Sequence, residues 1–123
     1  MSANPDIERH CLTLDLHDDP VVIAEYDRHH RDVWPEVLVH LRASGIRDMT
    51  IWRRESRLVM LIETEPGFDL RNLMVGAGSH PRVQEWEATM ARFQKRLPGS
   101  DSEGLWQPME QVFRLVDQLK RST

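Results

Sequence analysis

Tyr26 and His30 stand four residues apart, so a helix through this segment points a phenol and an imidazole the same way. Imidazole is the one side chain whose ordinary pKa, about 6.5, lets it both give and take protons near neutrality. The plain alternative is a part-exposed helix histidine with no chemical role. His29 adjoins His30 but diverges from it by roughly a quarter turn on a helix, so the two do not converge on one ligand. His10, His17, His40 and His80 are dispersed, and no Cys/His spacing typical of a metal site is present, so no metal centre is expected. Trp34, Trp52, Trp86 and Trp106 are many indoles for a chain of 123 residues. A flat indole can stack on the C–H face of a sugar ring, though it is more often a core filler. Glu85 and Glu87 flank Trp86 and read most simply as solvated helix carboxylates; one at the edge of a pocket could hold a hydroxyl.

The elements that must position these groups follow from periodicity. Leu12, Leu14 and Leu16 alternate with Cys11, Thr13 and Asp15, which predicts a half-buried strand over 10–16. Asp19 and Pro20 form a helix start, as N-cap and first helical residue. Pro35 demands a break between Arg31 and Pro35. Asp32 is expected to cap the second segment, which buries Val37, Leu38 and Leu41 and ends at Ser44–Gly45. Residues 49–53 and 57–63 read as a hairpin around Arg54, Glu55 and Ser56. The second strand is apolar at every position from Leu58 to Ile62, which asks for burial on both faces. A helical or irregular stretch to Met74 and a loop over Gly76–Ser79 follow. From Pro81, a helix carries Val83, Trp86, Met90, Phe93 and Leu97 on one face and stops at Pro98–Gly99. Gln111 to Leu115 reads as a last strand, and 116–123 as a charged tail.

The order strand, helix, strand, strand, helix, strand is the ferredoxin-like α+β plan, an antiparallel sheet with helices on one side. Two helices cannot cover both faces, so the open face is expected to meet a second copy, giving a homodimer with back-to-back sheets. The length suits a single domain, with a core over about 8–115. So small a domain leaves no room for a large internal cavity, and any sizeable pocket is expected to be shallow or shared between subunits. The net charge of −4, with basic residues scattered, argues against a nucleic-acid partner. One cysteine, Cys11, excludes an internal disulfide and fits the cytoplasm. The first eight residues show no apolar signal core, and no apolar run is long enough to span a membrane.

The segment AEYDRHHRDVWPEVLVHLRASGI (24–46), followed by MTIW, RLVMLIETE and VQEWEATM and closed by PMEQVFRL (108–115), resembles the L-rhamnose mutarotase family of sugar anomerases. The similarity covers about residues 8–115, and Tyr-x-x-x-His-x-x-x-Trp-Pro-Glu is its most specific element. The resemblance implies dimeric α+β barrels, no metal or organic cofactor, and interconversion of the α and β anomers of a 6-deoxyhexose. It implies His30 as the proton donor, Tyr26 as a sugar-binding residue and Trp86 as the first of a tryptophan pair. Where the family carries the second tryptophan this chain has Glu87, and where it carries a sugar-contacting tyrosine the chain has Met49. Asp48–Met49 and Arg82 to Glu87 resemble an L-fucose branch, so L-fucose is expected before L-rhamnose. Two other readings stay open: a haem-binding or cofactor-free monooxygenase built on the same barrel, and a non-catalytic ligand-binding barrel.

Overall fold

The computed structural model of the chain describes residues 7–70, 73, 80–98 and 105–122. Strand β1 (Glu8–Leu16) runs antiparallel to β3 (Arg57–Thr64), with Leu12 opposite Met60 and Leu14 opposite Leu58. On the far side of β3 lies β2 (Ile46–Arg54), and a bulge around Arg47 shifts its register between Ile46 and Asp48. The hairpin turns through Glu55 and Ser56, and Glu55 takes the left-handed conformation that a two-residue turn requires (φ +52°). Helices α1 (Pro20–Arg31), α2 (Pro35–Ala43) and α3 (Pro81–Phe93) lie against one face of the sheet. That face carries Leu12, Leu14, Leu16, Leu58, Met60 and Ile62, which together with Tyr26, Val37, Trp86 and Met90 make the core. The period-two pattern of β1 therefore does what it predicts, and β3 alternates in burial although its sequence does not alternate.

The helix starts show how local sequence sets the frame. Asp19 caps α1, its carboxylate accepting from the Val21 N–H at 2.9 Å, and Pro20 takes the first position, as expected. The expectation for Asp32 is corrected: it ends α1, and Trp34 is the N-cap of α2, with no side-chain cap bond. Pro35 explains this, because it occupies the first helical position and forces the residue before it into extended backbone (Trp34 φ −59°, ψ 136°). Asp32 is thereby left two residues short of the cap.

Two further expectations are corrected at the C-terminal end. Helix α3 stops at Phe93, four residues before Leu97, because Gln94 turns extended and pairs with Leu16 as strand β4 (Gln94–Lys95). The sheet order is β2-β3-β1-β4, which is the ferredoxin-like order, but the place beside β1 is not taken by 111–115. Beyond β4 that edge pairs with β5 (Gln107–Pro108), and the Met109 N–H donates to the Cys11 carbonyl at 2.7 Å. With the edge so occupied, residues 109–114 run without ladder pairing, and Val112 is 91% exposed. Within the charged tail, Leu115–Ser122 form helix α4, with Leu115, Val116 and Leu119 exposed among its charged residues. Most of the stretch from Arg71 to Met74, and the loop over Gly76–Ser79, lie outside the described residues.

The demand of β3 for cover on both faces is met on one. Leu58, Met60 and Ile62 are buried beneath the helices, whereas Val59 and Leu61 are half-buried on the opposite face beside Trp52, itself 55% exposed. No described helix is long and apolar enough to cross a membrane.

Candidate active site

Tyr26 and His30 occupy the last two turns of α1, whose only fully buried residue is Tyr26. Their rings stack with centroids 4.2 Å apart and planes tilted by 31°. The His30 Nδ1 lies 2.9 Å from the Tyr26 carbonyl oxygen. A carbonyl only accepts, so Nδ1 carries the hydrogen and, in the neutral ring, Nε2 holds the lone pair. Burial of the ring pushes the His30 pKa below its ordinary value. The bond to the Tyr26 carbonyl works against this, the charge of His29 adds to it, and Asp27 opposes it. The resting imidazole is thus biased toward the neutral form, with Nε2 as a base. The Tyr26 phenol is pushed well above its ordinary pKa, chiefly by burial and secondly by Asp27, so it stays a hydroxyl donor.

These two side chains line a cleft of about 690 Å³, within the range of small-molecule sites. All five residues singled out from the sequence meet there: Tyr26 and His30 from α1, Met49 from β2, Trp86 and Glu87 from α3. One chain builds this cleft by itself, so its walls need no residue from a second subunit. The space lies between layers, walled by α1, α2, α3, β2, β3 and Trp106, and the core residues Tyr26, Val37, Met60, Trp86 and Met90 form part of its wall.

Trp86 is both a core residue and a lining residue of the cleft. It is 7% exposed and belongs to the core cluster, yet its ring reaches the cleft wall and meets His30 edge-on at 5.4 Å. Behind it stands Trp34, edge-on at 5.2 Å, and the Arg82 guanidinium lies 3.8 Å over the Trp34 ring while pairing with Glu85 at 3.1 Å. This stack fixes the indole from the rear. Glu87 is exposed at the cleft wall, where the surrounding protein desolvates it in part and raises its carboxyl pKa.

His29 does not line the cleft; its Nδ1 donates to the Glu25 carbonyl at 2.8 Å and its ring packs near Phe93 and Trp86. Three polar lining residues are not among those the sequence assigns to a site: Gln94, His40, which it leaves as a dispersed histidine, and Trp106, which it names only as one of four indoles. Trp106 touches both core clusters, but it sits beside a polar loop with no periodic neighbours to betray it. His40 shares a helix face with Val37 and Leu41, and that spacing was the available signal. Among the described residues no group of three or more His, Cys, Asp or Glu side chains is placed to hold a metal ion.

Residues 9–115 match the family model for L-rhamnose mutarotase. The chain is 43% identical over 113 residues to the L-fucose mutarotase of Xanthomonas campestris pv. campestris, covering 90% of each. To the L-rhamnose mutarotase of Rhizobium johnstonii it is 34% identical over 86 residues, 69% of this chain and 76% of the relative. The crystal structure of an L-rhamnose mutarotase from Formosa agariphila superposes with a TM-score of 0.64 at 23% identity, covering 88% of this chain and 98% of that one, a likeness of fold.

Proposed function

The chain belongs to the L-rhamnose mutarotase family, and we propose that within it this enzyme interconverts the α and β pyranose anomers of L-fucose. The stacked Tyr26–His30 pair in the wall of a cleft that also holds Glu87 carries this reading. The greater similarity to the Xanthomonas L-fucose mutarotase than to the Rhizobium L-rhamnose mutarotase favours L-fucose.

Anomer exchange breaks the C1–O5 bond and re-forms it on the other face of C1. On opening, the O1 hydroxyl loses its proton, its electron pair makes the C1=O1 double bond, and O5 leaves with the C1–O5 pair and takes a proton. His30 Nε2, the lone-pair nitrogen of the neutral ring, accepts the proton from O1. The Glu87 carboxyl, held toward its protonated form, gives one to O5. The aldehyde carbon turns about C1–C2, imidazolium returns its proton to O1, the carboxylate recovers one from O5, and the ring closes. The proton donor that the resemblance assigns to His30 is this charged form. Tyr26 donates a fixed hydrogen bond to the sugar, and Trp86 supplies the apolar wall. Acid-base assistance of this kind contributes about 10²- to 10⁴-fold.

The same reading makes the working species a cytoplasmic homodimer of single-domain protomers whose outer sheet faces, with Trp52, Val59 and Leu61, meet back to back. Each protomer keeps its own cleft. Polarimetry of freshly dissolved L-fucose, L-rhamnose, D-arabinose and D-galactose tests the substrate assignment. L-fucose should relax faster than its buffer control by the largest factor; a larger factor for L-rhamnose would reassign the substrate.

A further inference from the structure

Resting on the mutarotase reading, the polar economy of the cleft points to one more sugar-contacting residue. A 6-deoxyhexopyranose brings five oxygens into the site: O1 and O5 at the reacting carbon, and three hydroxyls on C2, C3 and C4. The polar side chains in the walls are those of Tyr26, His30, His40, Glu87, Gln94 and Trp106. Two of them, His30 and Glu87, are spent on O1 and O5. The three remaining hydroxyls leave water on binding and need partners, because a buried hydroxyl without one opposes binding.

His40 is built differently from the other helix histidines of the site region. His29 and His30 each commit Nδ1 to the carbonyl four residues before them, at 2.8 and 2.9 Å, which fixes their tautomers. The His40 ring has no hydrogen-bond or ion-pair partner among the described residues, although it is half-buried and lines the cleft beside Leu41 and Val37. Its backbone is held: the His40 carbonyl accepts from the Ser44 hydroxyl at 2.8 Å and from the Ser44 N–H at 3.0 Å, closing the last turn of α2. A neutral imidazole with both nitrogens uncommitted can donate with one and accept with the other, which suits a hydroxyl in either orientation.

We propose that His40 is a specificity-determining residue, taking one of the hydroxyls on C2 to C4 while His30 and Glu87 handle O1 and O5. It reads the configuration of the sugar and takes no part in the proton transfers. Replacing it removes binding that ground and transition states share, so the loss falls on KM.

The test is exchange NMR at varied L-fucose concentration with His40→Leu and His40→Gln, repeated with 2-deoxy-, 3-deoxy- and 4-deoxy-L-fucose. His40→Leu should raise KM for L-fucose about tenfold, with kcat changed far less, and His40→Gln should recover part of that loss. The wild-type enzyme should show a penalty for each missing hydroxyl, and in His40→Leu one of these penalties should vanish, which identifies the hydroxyl. An unchanged KM in both variants, or three undiminished deoxy penalties, overturns the proposal. So does a fall in kcat at constant KM, which would put His40 in the proton transfer. A wild-type enzyme that leaves every one of these sugars at its buffer rate would instead overturn the mutarotase reading.

Discussion

The two faces of the sheet are built differently, the inner one almost wholly apolar and the outer one with Arg9, Asp15, Arg57 and Glu63 standing among its few apolar residues. On the inner face, Leu12, Leu14, Leu58 and Ile62 are wholly buried, and the layer of helices above them opens into the cleft with its titratable groups. On the outer face, Cys11, Thr13, Val59 and Leu61 are only half-buried, Trp52 and Met109 are exposed, and the arm that follows carries exposed Val112 and Phe113. The contrast separates two jobs within one small chain. The proposed catalytic groups sit where protein surrounds them and shifts their pKa values, whereas the outer face leaves Trp52, Val59 and Leu61 for the proposed contact with a second copy.

Breaking the inner face should leave the outer one intact. His30→Ala removes the base and should cost about 10²- to 10⁴-fold in exchange while the sedimentation coefficient stays that of wild type. The converse substitution, Trp52→Glu with Leu61→Glu, places like charges across the proposed interface and should yield a folded monomer by sedimentation. That monomer should keep exchange per protomer within a few-fold, and a loss as deep as that of His30→Ala would mean that the cleft needs its partner.

Smaller changes sharpen the inner face itself. Glu87→Gln keeps the shape of the side chain but gives up the transferable proton, and should lower kcat by about one to two orders of magnitude. Glu87→Trp should move the ratio of kcat/KM toward L-rhamnose, by roughly tenfold; equal losses on both sugars would make Glu87 a structural residue. The pH profile should show the least pronounced effect. Because burial lowers the His30 pKa, the base stays neutral as pH falls through the ordinary histidine value of 6.5, and kcat/KM should decline only below it. On the alkaline side, activity should fall as the Glu87 carboxyl ionises, and Glu87→Gln should lose that limb.

The same contrast governs what the sequence discloses. Elements facing the packed core are legible, because burial on one side imprints a period: β1, the hairpin and the start of α3 lie where alternation and helical spacing put them. So does the Tyr26–His30 pair, which needs only a helix to converge. The cleft as a whole is less legible, since Trp106 reaches it from a segment with no periodic context. Residues 111–115 look like a strand by composition, but β4 and β5 fill the edge of β1, and nothing local announces that a two-residue strand at Gln94–Lys95 takes the place. Leu97 fits the helical stripe yet lies beyond the helix, because pairing with Leu16 outweighs one more turn.

The most direct test of the account is saturation transfer between the anomeric proton resonances of L-fucose at equilibrium, with a catalytic amount of the protein. Saturating the α-anomer signal should diminish the β-anomer signal through exchange that buffer alone does not support. An undiminished β signal, equal to the protein-free control, would contradict it.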